Sequence, residues 1–351
     1  MTLIVRSLIC LMIAAPLSAS AATLRVPSQF ATIQAAVDAA HPGDTIRVAA
    51  GEFREQVSIG TDVTIVGAGA LRTVVRAPEV LVPGDESGET AIVEIHGGAA
   101  VTLTQLAVSG PGSGTCENGA LNHGILVLPE SRLDLRFARV SLIQDTPLAS
   151  CFRSGNGILA IEANVTVRAS TVSDYQSAGI VILGGSAQID HDVVAGPGAT
   201  PATAAEGILL TEGARGVVSD NVVFGNGCGS PDLGCGPDFF SQFQPFGIGA
   251  DGPDVVVARN LILDNVVGIY NFAGTDTRSN ILIGNDFGIA FQDGTFHARG
   301  DFIVGGNTGV AVIASEADST AVLERVGIFG TSGPAVQELE CCGFNATAQR
   351  R

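Results

Sequence analysis

The sequence predicts an all-β solenoid, a single parallel β-helix with a helical cap at its N-terminal end. Three observations predict it. A phrase made of an apolar run, a polar or Gly turn and then Gly-Ile recurs through most of the chain, with a base period of 20 to 22 residues. Each copy consists of short runs of Val, Ile and Leu punctuated by Gly, Asn and Asp. That composition reads as short strands and turns with no room for a helix. A polar marker stands eight residues ahead of the later Gly-Ile pairs.

Composition agrees. The chain has 351 residues, 46% of them hydrophobic and 15% charged, which is enough to bury a core and excludes a disordered tail. All 18 basic residues are Arg, against 35 acids, for a net charge of −17. A nucleic-acid surface needs local positive charge, so nucleic acid is excluded as a partner. A long anionic polymer would also be repelled overall unless a local Arg patch or a cation intervened.

The elements follow in chain order. Residues 1–21 read as a signal peptide: Arg6 is the basic start, Leu8 to Ala15 the apolar core, and Ala19-Ser20-Ala21 the cleavage site. The run is too short for a membrane span, and no other stretch is long enough. The expected location is therefore secreted or periplasmic. Phe30, Ile33, Val37 and Ala40 then share one helical face after Pro27-Ser28, as a cap over the open end of a solenoid would require. Pro42-Gly43-Asp44 turns the chain into the first strands, Thr45 to Val48, Val57 to Ile59 and Val63 to Val66.

Residues 30 to 59, FATIQAAVDAAHPGDTIRVAAGEFREQVSI, resemble the opening of the pectin-lyase-like right-handed parallel β-helix proteins. With the Gly-Ile rungs the resemblance covers residues 23 to 340. It implies the fold and the right hand of the coil. It leaves function open, because that superfamily holds lyases, polygalacturonases, esterases, epimerases and proteins without catalysis.

The rungs are marked by Gly124-Ile125, Gly157-Ile158, Gly179-Ile180, Gly207-Ile208, Gly247-Ile248, Gly268-Ile269 and Gly288-Ile289, continued by Gly309-Val310. A leucine-rich repeat shares the period but not the phrase. The polar markers are Thr171, Asp192, Asn221, Asn260, Asn280 and Asp301. Stacked at one turn, they should form an internal ladder. Residues 22–340 are expected to form the solenoid, with 341–351 a C-terminal tail.

Residues 110–122, 145–155, 196–205 and 227–246 exceed the base period, each just before a Gly-Ile. They should emerge at one edge and build a wall beside the rungs. Removing the leader leaves six cysteines in an oxidising compartment, which suggests disulfides. Loop positions suggest the pairs Cys116–Cys151 and Cys228–Cys235, with Cys341 and Cys342 left open.

Asp190-His191-Asp192 resembles the D-P-H-D element of alginate epimerases on this fold, without the Pro. Aligning rungs on the ladder puts His191, Asp220 and Arg259 in one column. Neighbouring rungs lie about 4.8 Å apart, so these groups could act together. His191 could take the C5 proton of a uronate, Arg259 could neutralise its carboxylate, and Asp190 and Asp220 could orient the base. An ordinary solvated ion pair is the other reading of the column. A second column before Gly-Ile, His123, Asn156 and Glu206, could bind sugar hydroxyls, and Tyr270 could stack on a sugar ring. No cofactor is required. Calcium is conceivable at Asp251, Asp254 or Asp293, but no full ligand set stands at fixed offsets, so the metal site is unknown.

The expected function is an exported protein that binds or processes an extracellular polysaccharide, of lyase or C5-epimerase chemistry if it is an enzyme. The expected partner is a polysaccharide or a cell-envelope component. The competing expectation is a non-catalytic structural or adhesive β-helix. An intact pectin esterase or polygalacturonase set is missing, since the chain has neither Trp nor an Asp-Asp pair.

Overall fold

A computed structural model of the protein describes residues 21–114, 119–146, 148, 154–200, 203–229, 239–240 and 245–351. The signal peptide expected at 1–21 lies almost wholly outside them. The described chain winds into a right-handed coil of three parallel sheets. One coil reads Asn156–Ile161 in the first sheet, Asn164–Arg168 in the second and Thr171–Ser173 in the third, before Ala178–Leu183 re-enters the first. The first and third sheets have eleven strands each and the second thirteen.

Gly-Ile makes this stacking possible. The Ile of each pair points into the coil and is fully buried, from Ile125 to Ile289, in one continuous apolar column. A Cβ on the Gly ahead of it would fall 2.2–2.8 Å from a carbonyl oxygen of the next coil, from Gly124 to Gly309. Glycine is required there by close approach of backbones, and the third-sheet valines close in from the side. Second-sheet residues such as Val165 and Val167 and third-sheet residues such as Val172 complete the core.

The corner between the second and third sheets explains the polar marker. One residue there takes a left-handed conformation with its side chain outward, as His191 (φ 61°), Asp220 (φ 60°), Arg259 (φ 55°) and Ser279 (φ 57°) do. The next residue turns inward into the ladder. Asn221 Oδ1 accepts from the Asp192 N–H, Asn260 Oδ1 from the Asn221 N–H, and Asn280 Oδ1 from the Asn260 N–H, at 2.9–3.1 Å. Each Asn Nδ2 in turn donates to a backbone carbonyl, Asn221 to Ile189 and Asn260 to Val218. The rung before Asp192 is filled by Ser170, whose N–H donates to Asp192 Oδ1 at 2.7 Å. Thr171, expected in the ladder, instead opens the third-sheet strand one residue later. A second ladder, Asn226, Asn265 and Asn285, runs at the next corner.

At the N-terminal end the helix Ile33–Asp38 lies against the first strands, with Ile33, Ala36 and Val37 buried in the core. Glu55 accepts the N–H groups of Ile33 and Gln34. The Gln34 amide pairs both backbone groups of Ser58, which the next strand would otherwise satisfy. At the other end the expected tail is corrected: Ala346–Arg350 is the last strand of the second sheet, paired with residues 319–323. Cys341 and Cys342 are bonded to each other in the turn before it. Cys228 is disulfide-bonded. Cys116, Cys151 and Cys235 lie outside the described residues, and so do the pairings expected for them.

Candidate functional site

The four insertions all leave the third sheet and enter the first. A fifth, residues 77–90, does the same between Thr73–Arg76 and Ala91–Ile95 and is not visible in the Gly-Ile spacing. These loops lead directly into the first sheet and border its outer face. Leu126, Leu159 and Val181 point outward from that sheet, yet they are buried. Further along, Phe239 from the 227–246 insertion packs edge-on against Tyr270 and Phe287. Tyr270 does point outward, but its ring is also packed on Phe246 and Phe272 and its hydroxyl donates to Gln292. It presents no open face to a sugar.

The N-terminal end of the same face is polar and concave. Between residues 82–86 and the outward side chains Ser58, Glu94 and His96 lies a cleft of about 320 Å³. Ser58 and Glu94 are in register on neighbouring strands, and His96 follows Glu94 by two residues, so all three face the same side. Ser58 Oγ lies 3.0 Å from His96 Nε2. Ser87 Oγ donates to Glu94 Oε2 at 2.5 Å. Gly84 packs directly against this carboxylate, where a Cβ would sit 2.1 Å from the oxygen and push the Glu94 side chain aside. The Gln56 amide straps the loop down, donating to the Val82 and Ala91 carbonyls and accepting from the Val82 N–H. Val82 and Pro83 supply an apolar wall.

Next along the loop edge stands His123, fully buried. Asn156 Nδ2 donates to its Nδ1 at 3.4 Å, so Nε2 carries the N–H that donates to Glu89. Thr90 and Asn122 clasp each other there through backbone and side chain. The expected column is broken beyond this point: Ala178 stands between Asn156 and Glu206. Glu206 is therefore about 14 Å from His123 along the coil axis, too far to act on the same bond. Burial pushes its carboxyl up to about 7.

The column of His191, Asp220 and Arg259 exists in register but lies on the convex corner between the second and third sheets, away from every insertion. Asp190 Oδ2 accepts from His191 Nδ1 at 2.8 Å and lies 3.2 Å from Arg168 Nε. Arg259 grips Asp220 with two hydrogen bonds of 2.9 and 2.7 Å, which hold that carboxyl below its usual range. No hydrogen bond joins His191 to Asp220 among the described residues. His191 and Arg259 have 57% and 58% of their side chains exposed, so these are solvated pairs at the corner.

Among the described residues no group of three or more His, Cys, Asp or Glu could hold a metal ion. Asp293 is occupied in a turn, accepting three backbone N–H groups from residues 315–317 and the Ser315 hydroxyl. Among the same residues no helix is long and apolar enough to cross a membrane.

The family described as "Right handed beta helix region" matches residues 123–322, more than half of the chain. The chain belongs to this right-handed β-helix family. A search among curated protein sequences finds no match. Among solved structures, the A-module of a mannuronan C-5 epimerase from Azotobacter vinelandii is similar with a TM-score of 0.52 at 17% identity, over 90% of this β-helix and 94% of that chain. An α-1,3-glucanase catalytic domain is similar at 0.51 and 12% identity, over 87% of this chain and 63% of that one. A periplasmic alginate epimerase is similar at 0.50 and 11% identity, over 88% and 77%. At such identities the likeness is one of fold.

Proposed function

We propose that this β-helix is exported by its first 21 residues and binds or processes an extracellular polysaccharide on the outer face of its first sheet. The cleft of about 320 Å³ carries the reading. It sets hydrogen-bonding groups of both kinds, on Ser58, Glu94 and His96, against the apolar wall of Val82 and Pro83, the mixture a sugar ring engages. Glu89, partly exposed and held from behind by the buried His123, extends the polar track toward the next rungs. The names of the three fold relatives point to mannuronan, alginate and α-1,3-glucan, in line with a polysaccharide. Asp85, Glu86 and Glu94 line the cleft, so a neutral glycan suits it better than a uronate polymer, which would need a cation such as calcium beside it.

The second reading is lyase or C5-epimerase chemistry at Asp190, His191, Asp220 and Arg259. One observation favours it: Asp190 holds His191 by Nδ1 and leaves Nε2 outward, the arrangement of an oriented base. Incubating the protein with neutral and uronate polysaccharides, with and without calcium, separates the readings. Calorimetry reads binding, ultraviolet absorbance reads unsaturated uronates, and proton NMR reads epimerised residues. Binding abolished by His96→Ala and kept in His191→Ala supports the cleft. Turnover abolished by His191→Ala supports the corner. Folded protein that is silent toward the whole panel would overturn both in favour of a structural or adhesive role.

A further inference from the structure

The outer face of the third sheet changes character halfway along. On its earlier strands one outward column is polar, Arg54, Arg76, Ser109, Ser141 and Ser173, with Arg139 and Thr171 beside it. From the strand Val193–Gly198 onward the outward positions turn apolar: Val193, Phe224, Ile281, Ile283, Phe302 and Phe329 are all exposed. Ile281, Phe302 and Phe329 leave 45%, 44% and 54% of their surface in solvent, and the Phe302 and Phe329 rings lie 5.0 Å apart. Six rungs spaced by about 4.8 Å make a flat stripe roughly 24 Å long. At the usual size of such side chains it exposes roughly 500 Å² of apolar surface, the upper end of what a monomer shows as one patch.

We infer that this stripe is the interface with a second copy of the same chain, the two coils packed face to face with their axes parallel. The borders decide the arrangement. Arg259, Arg278, Arg299 and Arg325 run along one border, with Asp190, Asp220 and Glu324 the acids among them and Asp190 already paired with Arg168. The other border has exposed Asp264 and Asp286 and, among the described residues, no basic residue. A two-fold axis parallel to the coil sets the basic border of each copy on the acidic border of the other, and brings Arg259 toward Asp264 of the second copy. The antiparallel arrangement would set Arg on Arg. The stripe and both borders together approach the ~800 Å² per partner of a standard interface. A flat, uncharged stripe lets two copies meet although each carries a net charge of −17.

Sedimentation velocity of the purified protein from about 1 to about 100 μM tests this, since a weak dimer populates within that range. The expected result is a concentration-dependent dimer. Ile281→Glu and Phe302→Glu place a charge in the stripe and should raise the dissociation constant at least about 100-fold. Both side chains point away from the core, so thermal melts should show the variants folded. Arg259→Glu should weaken the dimer about fivefold or more, and Asp264→Arg in the same chain should restore it. A monomer at every concentration, or a dimer indifferent to both stripe variants, overturns the interface. A charge swap that fails to restore overturns the parallel arrangement.

Discussion

Asp192 is an acid in a column built for amides, and replacing it with Asn should stabilise the protein in a pH-dependent way. Asn221 and Asn260 use Nδ2 to donate to backbone carbonyls of the coil behind them. Asp192 has an oxygen in that place. Oδ1 accepts from Ser170, while Oδ2 is buried and has no hydrogen-bond partner. Burial pushes its pKa from 3.8 to about 7, with the nearby Asp190 charge adding to the rise. The sign follows. A carboxyl raised on folding favours the folded state while protonated, so its contribution is full below 3.8 and is lost as pH rises toward 7. At about 1.4 kcal/mol per tenfold, a rise from 3.8 to about 7 gives a ceiling of roughly 4 kcal/mol. Relaxation around the site lowers this, so Asp192→Asn should gain about 2–4 kcal/mol at pH 8 and far less at pH 4. Urea unfolding of both proteins at pH 4, 5.5 and 8 measures it. An equal gain at all three values would mean that the amide only adds a hydrogen bond. No gain at pH 8 would refute the buried, raised acid altogether.

Four further outcomes are expected. Gly288→Ala puts a Cβ 2.5 Å from the Gly309 oxygen and 2.7 Å from Ile303, so denaturant unfolding should show a loss of about 1–3 kcal/mol. Asn260→Ala strips partners from the Asn221 N–H and the Val218 carbonyl inside the ladder and should lose about 2–4 kcal/mol by the same measurement. Asn271 points into the core in register with Ala250 and Phe291, and neither its oxygen nor its nitrogen has a partner. Asn271→Leu should therefore raise stability by about 1–2 kcal/mol, and a loss would reveal an unseen partner such as water. Arg259→Ala removes an exposed ion pair and should leave the melting midpoint of the monomer unchanged, so a large drop would show that the corner is structural.

The fold was legible because its two commonest constraints act on single positions. A Gly that must lie under a carbonyl and an Asn that must pair both above and below leave fixed letters at a fixed period, and drifted copies still carry them. Ser170 carries no marker letter because its hydroxyl can replace the amide oxygen, accepting from the Ala138 N–H, so the period points to Thr171 instead. The strand Ala346–Arg350 was missed because ATAQR has no apolar run; it adds to a sheet edge and needs only backbone pairing and one buried residue, Ala346. The candidate site was less legible for a topological reason. Equal spacing from the ladder correctly stacks His191, Asp220 and Arg259, but one column reads the same whether its corner is concave or convex. The cleft depends on Ser87 meeting Glu94 and on Gln56 holding Val82 and Ala91, contacts between a loop and its neighbouring strands that no repeat spacing encodes.

The three faces of the coil are buried to different degrees, and that difference constrains where a partner can sit. The first sheet buries several of its outward residues, Leu126, Leu159, Val181 and Tyr270 among them, and carries the concave N-terminal cleft. The second sheet turns charged side chains outward, such as Arg136 and Arg168, each about half exposed to water. The third sheet begins polar and then leaves Ile281, Phe302 and Phe329 uncovered. Apolar burial stabilises at roughly 25 cal/mol per Å² removed from water. Those residues gain little of it in the monomer, whereas Tyr270 and Phe287 gain it beneath Phe239. A polysaccharide, rich in hydroxyls, matches the first face, and a second apolar stripe matches the third. If both assignments hold, binding at the cleft and pairing through the stripe involve separate faces, and stripe variants should leave glycan affinity per chain unchanged. A glycan affinity that fell with Ile281→Glu would mean that the two surfaces serve one ligand.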